Sequence, residues 1–516
     1  MDPKSLFKYE HSMEMYNKLS TICPEEGAKV YWKWFLALSE IPRQSGHREL
    51  PSEWLISIAQ KSGLEYKIDK EKNICVYVPA TKGYESKPSV CIQGHYDMVG
   101  TLAAGVVHDF QKDPIKTQLN DGILSAIGTT LGADDGTGVA CGLAYMELRD
   151  TFNHPAMEIM FTADEEIGCL GANGLQFGEL ITDKCKYLIN VDSEEWGEVT
   201  ISASGTCLRI GRVPVEYTDI PDGFSAIEIV LEKFIGGHSG IDIKHQRPNA
   251  VKWIVDLVVH AKSLLRNNKH PYHIVHFDAG HAHNAIPSHA KVTIAVENEI
   301  AQNVVEEIKR AHQALTTLYI GSYEVDPVLN ISTKTIEKGS KVLTYTSTAN
   351  IFQLLEKLPN GVLKFSFDVE GLVETSQSIG VGKLEGDKFK IMMFSRSSRD
   401  EDMWGLMKAN ELMIKAHGGT MEQTAGDKLG WPADPNSYLL SVVKDAYRGL
   451  FNEEIKPVAI HAGLENSIIM EKYKQSQLQS ISIGPTCIDV HTPKEYVVVE
   501  TATKLYQLLI KVMENL

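Results

Sequence analysis

Short apolar stretches alternate with helical patterns over about the first 200 residues of this chain, and the same texture returns after about residue 430. Val90–Gln93, Ala156–Phe161 and Tyr187–Val191 are the clearest stretches, and each is typical of a buried strand. Strands that alternate with helices favour an α/β domain with a largely parallel sheet. A chain that leaves this pattern and later resumes it is most simply interpreted as one domain interrupted by another.

The interrupting region has a different pattern, with period-two strands and long amphipathic helices. Ala226–Phe234 is a predicted strand and Val304–Leu318 a predicted helix. A similar order follows, with a predicted helix over Lys341–Leu358 and predicted strands over Val362–Phe367 and Phe389–Phe394. This order predicts α+β units of the split βαβ type. A single composite domain and a duplicated ferredoxin-like unit are both compatible with it.

The length of 516 residues exceeds what one compact core usually contains, so at least two domains are expected. The predicted α/β domain comprises residues 1–207 and 425–516, and the predicted α+β insertion comprises residues 208–424. Within the first of these segments, residues 108–128 are polar and predict an irregular surface excursion.

Charge and cysteine usage restrict the possible partners and location. The net charge of −16 argues against a nucleic-acid partner. The eight cysteines are scattered and form no CxxC pair, which predicts buried thiols in a reducing compartment. The sequence contains no long uncharged apolar segment, so it predicts no membrane span. The cytoplasm is therefore the expected location.

Acids and histidines follow four of the predicted strands. In open α/β sheets, ligands bind at the carboxyl ends of strands, so these side chains are candidates for one site. Asp134 joins them from a glycine-rich turn before a helix. The groups at the strand ends are His95 with Asp97, Glu165 with Glu166, Asp192, and His491.

The residue types in this set suit two catalytic divalent metals. Each such metal takes about three protein ligands, and one bridging carboxylate would let five residues fill six positions. The five are His95, Asp134, Glu166, Asp192 and His491. Glu165 then stays free to act as a general base. Carboxylates and imidazoles without cysteine suit Zn²⁺, Mn²⁺ or Co²⁺, with zinc favoured.

The spacing of His95 and Asp97 predicts a supporting contact. Residues two apart on extended backbone face the same way, so Asp97 can accept the second ring N–H of His95. Each residue also has an ordinary interpretation, since Asp134 could cap a helix and His491 could lie in a surface loop. Together these interpretations would leave several carboxylates converging without a cation.

Several motifs make the chain resemble the M20 family of metallopeptidases, in particular its aminoacyl-histidine (Xaa-His) dipeptidases. The likeness runs from about Trp32 to the C-terminus. The motifs that carry it are Gln93–Val99, Gly128–Gly136, Phe161–Glu166, Asn190–Glu195, Gly236–Gly240, Asn284–Pro287, Val369–Ser376, Gly430–Trp431, His461–Glu465 and Ser482–Thr486. The family fold implied is a zinc-peptidase-like catalytic domain with an inserted lid domain.

The resemblance implies a role for each matching residue. Asp134 would bridge two metals, of which one is also bound by His95 and Asp192 and the other by Glu166 and His491. Asp97 would orient His95, and Glu165 would be the base. His238 of the lid would stabilise the oxyanion. The implied substrate contacts are Asn284, Arg396, Gly463 and Glu465.

The predicted function is that of a dipeptidase for short peptides with a free C-terminus, with Xaa-His dipeptides expected as substrates. A water between two metal ions would lose its proton to Glu165 and attack the peptide carbonyl. The alternatives are a carboxypeptidase, tripeptidase or acyl-amino-acid deacylase of the same family, and a non-catalytic scaffold. A homodimer is one expected assembly, and a duplicated lid would allow a monomer. Asn466 departs from the family pattern and leaves the substrate preference open.

Overall fold

The computed structural model describes residues 1–264, 271–319, 327–337, 339–424 and 426–516. The chain divides into two compact units. The first unit comprises residues 1–203, 431–459 and 464–516, and the second comprises residues 204–430 and 460–463.

The N-terminal part of the first unit contains six helices and eight strands. The helices are α1 (Pro3–Leu6), α2 (Glu10–Ile22), α3 (Glu26–Ser39), α4 (Glu49–Lys61), α5 (Ala133–Leu148) and α6 (Leu170–Gly174). The strands are β1 (Glu65–Ile68), β2 (Ile74–Val78), β3 (Ser89–His95), β4 (Thr117–Asn120), β5 (Ile123–Ala126), β6 (Met157–Thr162), β7 (Cys185–Asn190) and β8 (Glu198–Ala203).

The second unit follows with thirteen strands and four helices among its described residues. The strands are β9 (Gly205–Pro214), β10 (Tyr217–Asp219), β11 (Phe224–Glu232), β12 (Gly237–His238), β13 (His273–Ala279), β14 (Ala285–Ile286), β15 (Ala290–Glu297), β16 (Val328–Thr335), β17 (Lys341–Leu343), β18 (Gly361–Phe365), β19 (Val373–Glu385), β20 (Lys388–Ser397) and β21 (Thr420–Gln423). The helices are α7 (Ala250–Leu264), α8 (Asn298–Tyr319), α9 (Tyr345–Lys357) and α10 (Asp400–Ala416).

The chain then returns to the first unit. Its remaining helices are α11 (Tyr438–Phe451), α12 (Glu465–Lys472) and α13 (Val499–Asn515). Its remaining strands are β22 (Lys456–Ile460), β23 (Gln479–Ser482), β24 (Cys487–Ile488) and β25 (Tyr496–Val498).

The main sheet of the first unit has the order β1-β2-β6-β3-β7-β23-β8-β22. The four central strands β6, β3, β7 and β23 are parallel, whereas β1, β2 and β8 pair antiparallel with their neighbours. The sheet is therefore mixed, as the fold prediction expects, and its parallel strands lie at the centre. Since β6, β3, β7 and β23 are parallel, their carboxyl ends meet at one edge, where ligands of such sheets bind.

Helices α3 and α5 pack together in the first unit, and the sequence explains why they are buried. In α3 nearly every side chain from Val30 to Ser39 is buried, including Trp32 and Trp34. Burial of such large apolar side chains contributes about 1.5–3 kcal/mol each. In α5, Gly142 has no room for a Cβ against Ile159 and Phe161, so the helix approaches β6 closely.

The main sheet of the second unit is antiparallel and has the order β16-β11-β15-β13-β19-β20-β9-β21, and β18 pairs with β19 beside it. One half is built from β11, α7, β13, β15, α8 and β16, and the other from β9, α9, β19, β20, α10 and β21. Counted in its own chain order, each half has the strand order 4-1-3-2 across the sheet. The two halves meet where β13 pairs with β19, at Asp278 and Lys383. The first half is thus inserted between the first strand and the first helix of the second.

Two local predictions differ from the structure, and one long strand has no counterpart among the predictions. The predicted helix over Lys341–Leu358 begins as strand β17, and its helical part starts only after Thr344, whose hydroxyl accepts the backbone N–H of Ser347 at 3.2 Å. Residues 108–128 contain the hairpin of β4 and β5 rather than only irregular backbone. The long strand β19 was not predicted, because its Thr375–Ser378 segment is polar. These polar side chains are buried, and hydrogen bonds within the protein satisfy them. One example is the bond from the Ser395 hydroxyl to Gln377 Oε1 at 2.7 Å.

All eight cysteines are buried and none forms a disulfide, as expected from their positions in apolar stretches. In the part of the chain that the structure describes, no helix is both long enough and apolar enough to span a membrane.

Candidate active site

The carboxyl ends of β3, β6 and β7 bring the first predicted ligands together. His95, the last residue of β3, lies opposite Thr162, the last residue of β6. Asn190 ends β7 and pairs with Gln93 of β3, so Asp192 emerges beside the same edge. The parallel pairing of β3 with β6 and β7 therefore places the side chains that follow these strands near one another.

The five predicted metal ligands form two groups that share Asp134. One group contains His95, Asp134 and Asp192, and within it the ligand atoms lie within 4.8 Å of one another. His95 Nε2 is 3.0 Å from Asp134 Oδ1 and 3.4 Å from Asp192 Oδ1.

The second group contains Asp134, Glu166 and His491. Its histidine lies between β24 and β25 and is about half exposed. His491 Nε2 is 3.0 Å from Asp134 Oδ2 and 3.0 Å from Glu166 Oε1. The two oxygens of Asp134 therefore face different groups, which is the arrangement of a bridging carboxylate.

The nitrogen and oxygen atoms of the two groups are suitable ligands for divalent cations. His95 Nδ1 faces the carbonyl and carboxylate oxygens of Asp97 at 3.2 and 3.4 Å, so this nitrogen carries the proton. The lone pair of Nε2 then points at the carboxylates of Asp134 and Asp192. Three acceptors facing one another are favourable only around positive charge.

The carboxylates of the two groups also raise the pKa values of the two histidines, so both groups favour positive charge. Burial alone would lower the pKa of His95, but Asp192 and Asp134 raise it well above its usual range. Hydrogen bonds to Asp134 and Glu166 raise the pKa of His491 to about 11. The two groups thus offer carboxylate and imidazole ligands of the kind that divalent cations bind, without a thiolate among them.

Asp97 and Glu165 flank the metal ligands without belonging to either group. The Asp97 carboxylate accepts the backbone N–H groups of Glu165 at 3.0 Å and Glu166 at 3.4 Å, and the Ser45 hydroxyl at 2.7 Å. It therefore ties His95 to the loop after β6. Glu165 is partly exposed, and its Oε1 accepts the Cys169 thiol at 3.2 Å. A free carboxylate beside two metal groups can exchange a proton with a bound water or substrate.

Two buried residues that support the ligands were not found from sequence. Arg43 is 3% exposed and donates to the carbonyl oxygens of Tyr96, Asp97 and Gly132. Gly132 has a φ of 70°, and a Cβ there would collide with Arg43. An isolated arginine after a helix carries no pattern that distinguishes this role.

Glu495 is the second such residue. Its carboxylate accepts the backbone N–H groups of Leu131 at 2.7 Å, Gly132 at 3.1 Å and Ala133 at 2.7 Å. These three residues lead directly into Asp134, so Glu495 holds the turn that presents the shared ligand. The only sequence signal was an acid four residues after His491.

Glu495→Gln is expected to destabilise the metal-free protein by about 1–3 kcal/mol, because an amide N–H₂ would replace one oxygen that accepts these bonds. Urea unfolding measures this difference. Glu500→Gln, at an exposed glutamate of α13, is the matched control and is expected to unfold like the parent. Equal midpoints for the parent and Glu495→Gln would show that the turn does not depend on Glu495.

The second unit contains a separate cluster made of His238, Arg396 and His461. His238 Nδ1 accepts the backbone N–H groups of Gly240 at 3.3 Å and Ile241 at 3.1 Å. A neutral imidazole therefore carries its proton on Nε2, which lies 3.2 Å from Arg396 Nη2. Burial and the Arg396 charge lower the pKa of His238. Two donors thus face each other, an arrangement that accommodates an anion or oxyanion.

Arg396 is 4% exposed and packs on the Phe394 ring at 4.8 Å. Among the described residues it has no carboxylate partner, and its Nε has no hydrogen-bond acceptor. Burial lowers its pKa to about 10, so it is still cationic at neutral pH. A buried guanidinium without an anion is costly, and a ligand carboxylate would remove that cost.

His461 lies beside this arginine and was not given a role from sequence. Its Nε2 is 2.7 Å from Ser376 Oγ, and burial, followed by the charge of Arg396, lowers its pKa to about 3. His461 is therefore neutral and leaves Arg396 as the positive charge of the cluster.

The other predicted substrate contacts are placed differently. Asn284 is exposed, and its carbonyl accepts the Ser239 N–H at 2.9 Å. Gly463 is partly exposed, and a Cβ there would meet only Lys428 at 3.8 Å. Glu465 is fully buried, and its carboxyl is bonded to Thr162 and Gln93 rather than open to a ligand. The prediction that Glu465 contacts substrate is therefore corrected: its side chain faces the sheet.

Comparison with known proteins agrees with this geometry. The model of the peptidase family M20/M25/M40 matches residues 91–515. The cytosol non-specific dipeptidase of Escherichia coli (strain K12) is 31% identical over 501 residues, which is 97% of this chain and 99% of that relative. The crystal structure of the aminoacylhistidine dipeptidase from Vibrio alginolyticus is similar with a TM-score of 0.87 and 31% identity, and the match covers 96% of this chain and 99% of that chain. Because the family match spans most of its length and the five ligand residues lie inside it, this chain belongs to the peptidase family M20/M25/M40.

Proposed function

We propose that this protein is a dipeptidase that uses two divalent cations to hydrolyse short peptides with a free C-terminal carboxylate. The observation that carries the proposal is the pair of ligand groups that share Asp134, next to the unligated Glu165. The names of two relatives, a non-specific dipeptidase and an aminoacylhistidine dipeptidase, support dipeptides as the substrate class. Xaa-His dipeptides are the proposed preferred substrates.

The ligand set supports zinc as the proposed metal, with manganese or cobalt as alternatives. His95, Asp134 and Asp192 would hold one cation, and Asp134, Glu166 and His491 the other. When bound, such cations make water more acidic and polarise the peptide carbonyl.

The protein side chains would supply proton transfer and orientation. Glu165 takes a proton from the attacking water and passes it to the leaving amine. His238 donates a hydrogen bond from Nε2 to the carbonyl oxygen on which negative charge develops. The backbone N–H groups bonded to Nδ1 support this role, because they leave the ring proton on Nε2. Arg396 binds the free carboxylate of the peptide, and the absence of a carboxylate partner for it among the described residues supports this role.

A substrate panel tests the proposal. Purified protein reconstituted with zinc, manganese or cobalt would be given Ala-His, Gly-Leu, a tripeptide and an N-acetyl amino acid. We expect hydrolysis of both dipeptides, fastest for Ala-His, and little of the other two. Hydrolysis of only the tripeptide or the N-acetyl amino acid would favour another hydrolase of the family. No hydrolysis together with no bound metal would favour a non-catalytic scaffold.

Arg396→Met is expected to raise KM for dipeptides by about 10- to 100-fold, because a charge-assisted hydrogen bond to the substrate is lost. The KM for the corresponding dipeptide amides, which lack the carboxylate, is expected to change little. Steady-state kinetics on both substrate series measure this difference. Arg310→Met, at an exposed arginine of α8, is the control. Equal losses for dipeptides and amides would contradict carboxylate binding by Arg396.

Cellular location and assembly are also proposals. The name of the Escherichia coli relative supports a cytosolic location, which fractionation of the source cells would test. A monomer and a homodimer are both compatible with the proposed chemistry, and light scattering of the purified protein distinguishes them.

A further inference from the structure

The loop after β6, residues 163–171, carries both Glu165 and Glu166 and is closed at its base. There the backbone N–H of Gly171 donates to the Ala163 carbonyl at 2.9 Å. The two ends of the loop therefore meet in one neck. Whatever holds this neck also determines where the two glutamates lie.

Asn73 bonds to both sides of the neck. Its side chain is 0% exposed and comes from the turn between β1 and β2. Its Oδ1 accepts the backbone N–H of Ala163 at 3.0 Å, and its Nδ2 donates to the Gly171 carbonyl at 2.9 Å. A Cβ at Gly171 would collide with Asn73 Oδ1 and with the Ala163 carbonyl, so the neck is tightly closed around this amide.

Asp69 fixes the turn that contains Asn73. One oxygen of its buried carboxylate accepts the backbone N–H groups of Glu71 and Asn73, both at 2.9 Å. The other oxygen accepts Asn73 Nδ2 at 2.6 Å. The opposite orientation of the Asn73 amide would place its N–H₂ against the N–H of Ala163, so the amide has one favourable orientation.

Arg48 holds the next residue of the loop. Asp164 is 1% exposed, and its carboxylate accepts the Gly46 backbone N–H at 2.7 Å and the Arg48 side chain. Arg48 Nη1 also donates to Glu71 Oε2 at 3.0 Å and to the Glu71 carbonyl at 3.2 Å. The turn between β1 and β2 therefore holds the loop twice, directly through Asn73 and indirectly through Glu71 and Arg48.

We propose that Asn73 and Arg48 are positioning residues for the loop that carries Glu165 and Glu166. This inference rests on the proposed dipeptidase function, in which Glu165 is the base and Glu166 holds one of two cations. Asn73 and Arg48 act through the backbone of the loop and through Asp164. Removal of side chains that orient metal ligands in this way typically costs about 10- to 100-fold in metal affinity or activity.

Asn73→Ala is expected to lower kcat for Ala-His by about 10- to 100-fold with little change in KM, because a displaced Glu165 meets the attacking water in a poorer geometry. It is also expected to weaken binding of the cation held by Glu166 by about tenfold or more, but not of the cation held by His95, which ends a different strand. Arg48→Met, at a partly exposed arginine, leaves the neck bonds intact and is expected to act in the same direction by a smaller factor.

Steady-state kinetics and zinc titration of the metal-free proteins measure these effects, and urea unfolding shows whether each variant is folded. Tyr77→Phe is the matched control. It removes a hydrogen bond of 2.6 Å from the same hairpin to the Leu180 carbonyl, which lies outside the loop. Its kcat and its affinity for both zinc ions are expected to equal those of the parent.

Amide hydrogen exchange of the metal-free protein tests the contact without catalysis. In Asn73→Ala, the N–H of Ala163 is expected to exchange at least about tenfold faster than in the parent, because it loses its acceptor. The N–H of Ile159, inside β6, is expected to keep its parental rate. Equal acceleration at both positions would show a general loss of stability and would contradict a specific role in the loop.

Parental kcat with parental affinity for both cations in folded Asn73→Ala would overturn the proposal, and so would equal weakening of the two cations. If Asn73→Ala does not fold, Arg48→Met decides, and parental values in that variant would overturn the proposal. If the parent hydrolyses no dipeptide, the proposed function fails. The zinc titration and the exchange of Ala163 then still decide whether Asn73 positions the loop.

Discussion

Glu165→Gln is expected to lower kcat for dipeptide hydrolysis by about 10³-fold, within the range of about 10²–10⁴ typical of a lost general base. Glutamine keeps the size of the side chain but cannot accept the proton of the attacking water. Glu165 belongs to neither ligand group, so the variant should bind both cations like the parent. KM should change little, because the side chain acts on the reacting water and not on the peptide termini.

The measurement combines steady-state kinetics on Ala-His with metal analysis of the same samples. Glu179→Gln is the matched control, since this glutamate is exposed in the same unit and has no side-chain contact with the ligand groups. A parental kcat in Glu165→Gln would exclude Glu165 as the base. A low kcat accompanied by lost metal would instead show that Glu165 helps to hold the cations.

Asp134→Asn is expected to impair binding of both cations and to lower kcat/KM by at least about 10³-fold. Asp134 supplies one oxygen to each ligand group, and an amide offers one oxygen and one N–H₂. The loss should therefore exceed that of a residue that belongs to a single group. Metal content after dialysis, determined by elemental analysis, and zinc affinity by titration calorimetry measure the effect.

His491→Ala provides the comparison for Asp134→Asn. His491 belongs only to the group with Glu166, so this variant is expected to keep the cation of His95 and Asp192. Asp150→Asn, at an 88% exposed aspartate, is the control for a neutralised charge in the same unit. Two bound metals in Asp134→Asn, with parental affinity, would rule out the bridging role.

Much of the candidate metal site was predictable from sequence because its parts are local. A run of apolar residues that ends in an acid or histidine reports both a strand and the side chain at its end. The order of Gln93 to Asp97 and of Phe161 to Glu166 therefore predicted which residues converge, and the structure brings all five predicted ligands into two groups. The same local patterns predicted the parallel strands at the centre of the mixed sheet.

The second unit shows where local patterns were insufficient. The segment Thr375–Ser378 in β19 is polar, and its strand exists because neighbours such as Ser395 and Asn410 bond to Gln377. Among the described strands, the sheet continues from one half to the other through the pairing of β13 with β19. Pairing between distant segments is a tertiary property, so β propensity alone did not predict it.

The chain by itself determined which side chains could bind metal, act as a base or bind a carboxylate, because those properties belong to residue type and to spacing along a strand. Only the tertiary structure decided that Asp134 faces both ligand groups, that Glu495 and Arg43 hold its turn, and that Glu465 is buried away from ligands. These outcomes depend on burial and on contacts between residues far apart in the sequence, such as Ala133 and Glu495, which lie 362 positions apart. Burial and distant contacts set the charge state and orientation of a side chain, and they leave no periodic mark in the sequence.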